Sequence, residues 1–207
     1  MGIDLSIIWF VIIVFATLMY IVMDGFDLGI GILFPAIQDA DDRDVMVNTG
    51  FMDNAERNVS LMAPKRSGAL KRIILTQSHA DHFGCLTEFK EADTIVIGGA
   101  GFNEAWGDMK RLQPFFGPRS KKLWGSTLKR GGTPKPPPEF VPDILVEGRF
   151  AFEQGGRQFE VIHAPEGETV DNLIVWMPKE KIAFTGNLVG PVWLSMPFFC
   201  TLRGDKP

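Results

Sequence analysis

The chain opens on a run from Leu5 to Met23 that holds no charged residue and only Ser6, Thr17 and Tyr20 as polar relief. At about 1.5 Å rise per residue such a run covers roughly 28 Å, near the hydrocarbon thickness of a bilayer, so one transmembrane helix is expected there. Apolar character resumes from Leu28 to Ile37 beside Gly25, Gly29 and Gly31, small residues that let a membrane helix approach a neighbour closely. From Val45 the texture is that of an α/β domain. Val45-Met46-Val47 reads as a short strand, 53–63 as a helix, 72–76 as an apolar strand, and 94–97 as a β-branched strand closed by Gly98-Gly99. A helix is expected over 103–113. Residues 114–142 form a Pro/Gly/Lys-rich stretch without periodicity, extended at Pro134–Pro138. Strands follow at 144–146, 149–153, 158–163, 172–177 and 181–185, and no internal repeat is visible.

Charge divides along the same line. Residues 1–44 hold seven acids and one base, and the remainder is close to neutral, giving a net charge of −4. Neither half shows the concentrated basic face of a nucleic-acid binder, so no nucleic-acid partner is expected. The apolar run lacks a basic leader and a small-x-small cleavage site, which favours an anchor over a signal peptide. Arg43 and the bases after it lie C-terminal to the run, which places the long C-terminal part in the cytoplasm and the protein in the cell membrane, with lipid as its first partner. Asp24 and Asp27 share one helical face at the end of the run. Acids at that depth either face a partner or cap the helix among the headgroups. Cys85 and Cys200 make no disulfide framework.

The sharpest chemical feature is Thr76-Gln77-Ser78-His79-Ala80-Asp81-His82-Phe83-Gly84, directly after an apolar strand. Two of the three histidines in the chain and an aspartate fall within four residues. Imidazole and carboxylate suit zinc, and a strand-end loop can aim several of them at one point; a polar turn with local hydrogen bonds is the alternative. A divalent ion held there would lower the pKa of its water to about 7 and polarise a scissile bond, with Asp81 ligating the ion or orienting the attacking water. Trp106, Phe115, Phe116 and Trp124 either line a substrate mouth or pin a long loop. Lys121, Lys122, Lys129 and Arg130 either attract an anionic substrate or form a solvated basic face.

A strand followed by His-x-His-x-Asp-His and Gly is the signature of the metallo-β-lactamase fold, and the segment at Gln77, His79, Asp81 and His82 resembles it with Gln in place of the first histidine. Upstream, Val45–Gly50 resembles the strand that ends in Asp-Thr-Gly, with Asn48 for the Asp. Downstream, Val161–Thr169 resembles the Pro-Gly-His-Thr turn, with Glu168 near the third histidine, and Phe184-Thr185-Gly186-Asn187 matches the turn that supplies a bridging Asp. The resemblance covers about 45–207 and implies a partial αββα sandwich in an α/β domain, preceded by the one transmembrane helix and its acidic connector over 1–44. It further implies a metal-dependent hydrolase of small ester or sulfate-ester substrates. Zinc, one ion or none, would be held by His79, Asp81, His82 and Glu168, with Asp81 as the catalytic residue and Gln77, His163 and Asn187 lining the site. Glutamate at the third position resembles the alkylsulfatase-like branch. The domain is expected to be incomplete, since the hairpin before the first strand and the last histidine are missing, and its site to be degenerate enough for loss of activity.

Asp4-Leu5, the apolar run and Asp24-Gly25-Phe26-Asp27-Leu28-Gly29 resemble the start of subunit II of cytochrome bd ubiquinol oxidase. This implies a role of Asp24 and Asp27 in proton entry and a membrane-subunit partner bound through residues 1–37. Both likenesses share Val45–Thr49 without a Gly/Ser linker, which reads as a fused or mis-joined reading frame or a designed chimera. The second functional reading is accordingly a piece of a membrane electron-transport component joined to an incidental domain.

Overall fold

A computed structural model describes residues 14, 45–66, 68–124, 138–165 and 167–188 of the chain. Of the expected membrane helix over 5–23 only Val14, in helical conformation, is among them; the rest of it, with Asp24 and Asp27, lies outside the described residues. No helix of the described residues is long and apolar enough to cross a membrane. The chain divides into two units, Met1–Gln38 and Asp39–Pro207, and the described fold belongs to the second.

Two four-stranded sheets make its centre. In the first, β1 (Val45–Val47), β2 (Arg72–Ile74), β3 (Ile95–Gly99) and β4 (Ile144–Val146) run parallel in chain order. Parallel neighbours need crossovers, and helices supply them: α1 (Ala55–Met62) between β1 and β2, α2 (Ala80–Phe83) and α3 (Leu86–Phe89) between β2 and β3, and α4 (Phe102–Trp124) between β3 and β4. Alternate strand residues face opposite ways. Met46, Ile73, Leu75 and Val96 join Phe83, Leu86, Phe89, Phe102 and Trp106 in one buried cluster, against which Ala55, Val59 and Met62 of α1 also pack. Phe83 sits at its middle, edge-on to Phe102, Trp106 and Phe140 at 5.8, 4.9 and 5.2 Å between ring centres. Burial of side chains of this size contributes about 1.5–3 kcal/mol each.

Ile74 and Ile97, equally buried, point to the opposite face, toward the second sheet. That sheet is an antiparallel meander of β5 (Arg149–Gln154), β6 (Arg157–His163), β7 (Leu173–Met177) and β8 (Ile182–Phe184). Gly155 and Gly156, both at positive φ, close the β5–β6 hairpin in two residues. Phe159, Val161, Leu173, Val175 and Met177 form its buried face. Phe152 stacks on Phe159 at 4.9 Å, and the Arg72 guanidinium of the first sheet lies 4.5 Å over the Phe152 ring. At the other end the Leu173 amide donates to the Thr76 carbonyl at 2.7 Å, so β7 begins where β2 ends.

The strands fall where the hydrophobic pattern places them. The helix expected over 103–113 instead continues to Trp124 through Pro114 and Pro118. Each proline removes one helical hydrogen bond. Both prolines lie on the exposed side of α4, where water can satisfy the freed carbonyls, so the interruption is tolerated.

Candidate functional site

The ends of β1 and β2 meet at Asn48, which takes a left-handed conformation (φ 59°) that asparagine tolerates better than most residues. Its Oδ1 accepts from the Thr76 amide at 2.9 Å and its Nδ2 donates to the Thr76 hydroxyl at 3.0 Å. The same hydroxyl shares a 2.9 Å hydrogen bond with Nδ1 of His82, and the Thr49 amide donates to the His82 carbonyl at 2.7 Å. The exits of two strands and the helix α2 are thereby locked together, with the Nε2 of His82 facing Asp81 Oδ2 at 3.5 Å. Burial pushes the His82 imidazole below its ordinary value; Asp81 opposes this, His79 adds to it and Glu168 opposes it.

The turn between β6 and β7 is stapled to the histidine loop twice. Gln77, fully buried, donates its amide to Glu168 Oε2 at 2.9 Å and to Nδ1 of His79 at 2.7 Å. A carboxylate only accepts, so Glu168 fixes which end of the amide faces it, and His79 then carries its ring proton on Nε2. Ser78 donates to Asp171 Oδ1 at 3.1 Å. Burial pushes the Asp171 carboxyl above the ordinary carboxylate range, against the nearby Thr169 hydroxyl, the Ser78 hydrogen bond, its own backbone and the attraction of His79. Behind the turn, a Cβ on Gly99 would stand 2.0 Å from the Asp171 carbonyl oxygen, so only glycine allows this approach.

The structure brings Gln77, His79 and Glu168 into mutual contact and sets His82 beside Asp81; the rings of His79 and His82 lie 6.5 Å apart. Asn187 sits in the turn after β8, which abuts the same place: a Cβ on Gly186 would meet the Thr76 hydroxyl at 2.6 Å. His163 shares a 2.9 Å hydrogen bond between its Nε2 and the Val170 carbonyl, which braces the turn carrying Glu168. The motif gives no hint of Ser78 and Asp171, whose pairing spans 93 residues. The only local signal is the polar pair Asp171-Asn172 directly before a strongly apolar strand.

These donors do not make a ligand set. Among the described residues no group of three His, Cys, Asp or Glu side chains gathers closely enough to hold an ion. The reason is visible in the contacts: the Gln77 amide occupies the space between His79 and Glu168, and an N–H donor offers no lone pair to a cation. Its Oε1 is buried and has no hydrogen-bond partner among the described residues. The four expected ligands are thus held as two hydrogen-bonded or paired groups, His79 and Glu168 on the Gln77 amide and Asp81 beside His82.

Comparison with known proteins gives this architecture a family. Residues 36–196 match the family model of the metallo-beta-lactamase superfamily. The chain belongs to that superfamily. Two solved structures share the metallo-β-lactamase fold. The stereoselective inverting sec-alkylsulfatase Pisa1 from Pseudomonas sp. is 16% identical with a TM-score of 0.60, over 74% of this chain and 28% of its own. An archaeal metallo-beta-lactamase superfamily protein from Sulfolobus tokodaii is 24% identical with a TM-score of 0.51, over 72% of this chain and 55% of its own. The chain thus spans about a quarter of the alkylsulfatase and about half of the archaeal protein. Residues 5–50 match cytochrome bd terminal oxidase subunit II. The two matches overlap at 36–50, a stretch that includes β1 of the metallo-β-lactamase fold.

Proposed function

We propose that this chain is a membrane-tethered, hydrolase-like member of the metallo-β-lactamase superfamily that keeps the loops of the site but holds no resident zinc and turns over no substrate. The observation that carries this reading is the Gln77 amide between His79 and Glu168. A small ester or sulfate ester entering the site would meet hydrogen-bonding groups: the Nε2–H of His79, 27% exposed, and the carboxylate of Asp81, 38% exposed. Neither supplies the Lewis acid that family chemistry relies on. The match of residues 5–50 to a membrane subunit and the charge-free run at 5–23 support the tether, with the domain on the cytoplasmic side and a membrane-subunit partner along residues 1–37.

One observation favours a second reading. Thr76 fixes Nδ1 of His82 and leaves its Nε2 toward Asp81, the kind of anchoring that orients a metal-binding imidazole. A single ion there would make the chain a one-metal hydrolase. Turnover of nitrophenyl esters and sulfate esters by detergent-purified protein, with and without added zinc, separates the two. The first reading expects no zinc-dependent turnover, and a zinc-dependent rate abolished by His82→Ala would establish the second.

A further inference from the structure

The second half of α4 carries a surface that the site does not use. Phe102, Trp106 and Met109 face the core, and Phe116 lies on the same side of the helix. At 3.6 residues per turn, Arg111, Phe115, Arg119 and Lys122 fall within about 80° of arc on the opposite side. All four are exposed, Phe115 by 64%. Phe115 is braced edge-on by Phe116 at 5.2 Å and flanked by Pro114 and Pro118, so a large apolar ring is held outward among bases. Residues 109–138 contain eight Lys/Arg and no Asp/Glu, in a chain whose net charge is −4. Arg111 is tied to Asp108 at 3.0 Å, leaving Arg119 and Lys122 at the end of the face farthest from the acids of the first turns.

We propose that this face of α4 docks on a bilayer rich in anionic headgroups, with Phe115 entering the headgroup–acyl boundary and Arg119 and Lys122 on the lipid phosphates. An apolar ring with cations on its own and the following turns of one helical face, where the acid of that face, Asp108, is already paired to Arg111, is the pattern that lies in a negatively charged interface. Basic and aromatic groups also suit single-stranded nucleic acid. A bilayer is favoured because residues 5–50 match a membrane subunit, which keeps the domain beside lipid. The inference therefore rests on the tether reading, and it names the surface by which the tethered domain meets the membrane.

The test uses the full chain in a Cys200→Ser background, with an environment-sensitive fluorophore at Pro118→Cys; the remaining Cys85 is buried. The protein is reconstituted into phosphatidylcholine vesicles with or without phosphatidylserine, both doped with doxyl-labelled lipid. Flotation reports the tether and quenching reports the helix. The expected result is flotation in both, with emission shifted to the blue and quenched by about half only where phosphatidylserine is present. Arg119→Glu/Lys122→Glu and Phe115→Ser should each abolish the quenching while flotation is kept. Flotation without quenching, or quenching indifferent to phosphatidylserine or to the charge reversal, overturns the docking face and spares the tether. Failure to float overturns the tether and the face with it. A response to a single-stranded oligonucleotide in place of lipid overturns the bilayer as the partner.

Discussion

The side-chain amide of Gln77 donates to the carboxylate of Glu168 at 2.9 Å, joining the loop after β2 to the turn before β7 across 91 residues. The same nitrogen donates to His79. One neutral amide thereby satisfies the two groups that would otherwise be available to a cation. Where a histidine at this position would bring a lone pair, glutamine brings a proton donor, and a hydrogen bond joins the two loops.

That bridge should be measurable as coupling. Gln77→Ala leaves Glu168, about one fifth exposed, without its donor, and Glu168→Ala removes the acceptor. Hydrogen bonds to charged partners contribute about 1.5–3 kcal/mol, so each single variant should lower stability by that order. The double variant should lose less than the sum of the two. Chemical denaturation of the detergent-purified chain, followed by near-UV dichroism, supplies the cycle; additive losses would show that the bridge does not persist in solution.

Asp171 sets a pH dependence of its own. Its folded pKa is raised above the ordinary 3.8, so the ionised carboxylate costs stability at neutral pH and the cost disappears as pH falls through the raised value toward 3.8. Asp171→Asn keeps an oxygen to accept from Ser78 and abolishes the titration. The variant should be more stable than the parent at pH 7, with an advantage that shrinks as pH falls. Parallel stability profiles for parent and variant would contradict this.

Gly99 should tolerate no side chain. The Cβ of Gly99→Ala would lie 2.0 Å from a backbone oxygen, so the turn bearing Glu168 and Asp171 has to move. Overpacking of this kind costs about 1–3 kcal/mol. Amide exchange should show the loss of protection concentrated in 164–173 and 76–79. Protection equal to that of the parent would mean the approach is looser than described.

Much of this was legible in the sequence. The β-branched runs at Val45–Val47 and Arg72–Ile74 and the alternating pattern of β5 to β8 name their own strands, because short-range periodicity is what a sheet imposes. The order of Asn48, Gln77–His82, Glu168 and Asn187 shows where the site lies, since each ends or follows a strand. The passage of α4 through Pro114 and Pro118 was not legible, because proline is tolerated there only by facing solvent, a property of the packed helix. The Ser78–Asp171 pair was hidden as well, for it exists only once two distant loops meet. The metal motif at His79, Asp81 and His82 reads clearly as a residue pattern. In the function proposed here, whether it gathers into a ligand set turns on the Gln77 amide, which takes its direction from Glu168.

Metal content per chain, measured on detergent-purified protein after zinc loading and desalting, tests this most directly when the parent is set beside Gln77→His and His79→Ala/His82→Ala. The parent and the double-alanine variant should both retain far less than one zinc, and Gln77→His should retain more, because an imidazole lone pair replaces the amide proton between His79 and Glu168. Near one zinc per chain in the parent, lost in the double-alanine variant, would contradict the account and make the chain a one-metal hydrolase candidate.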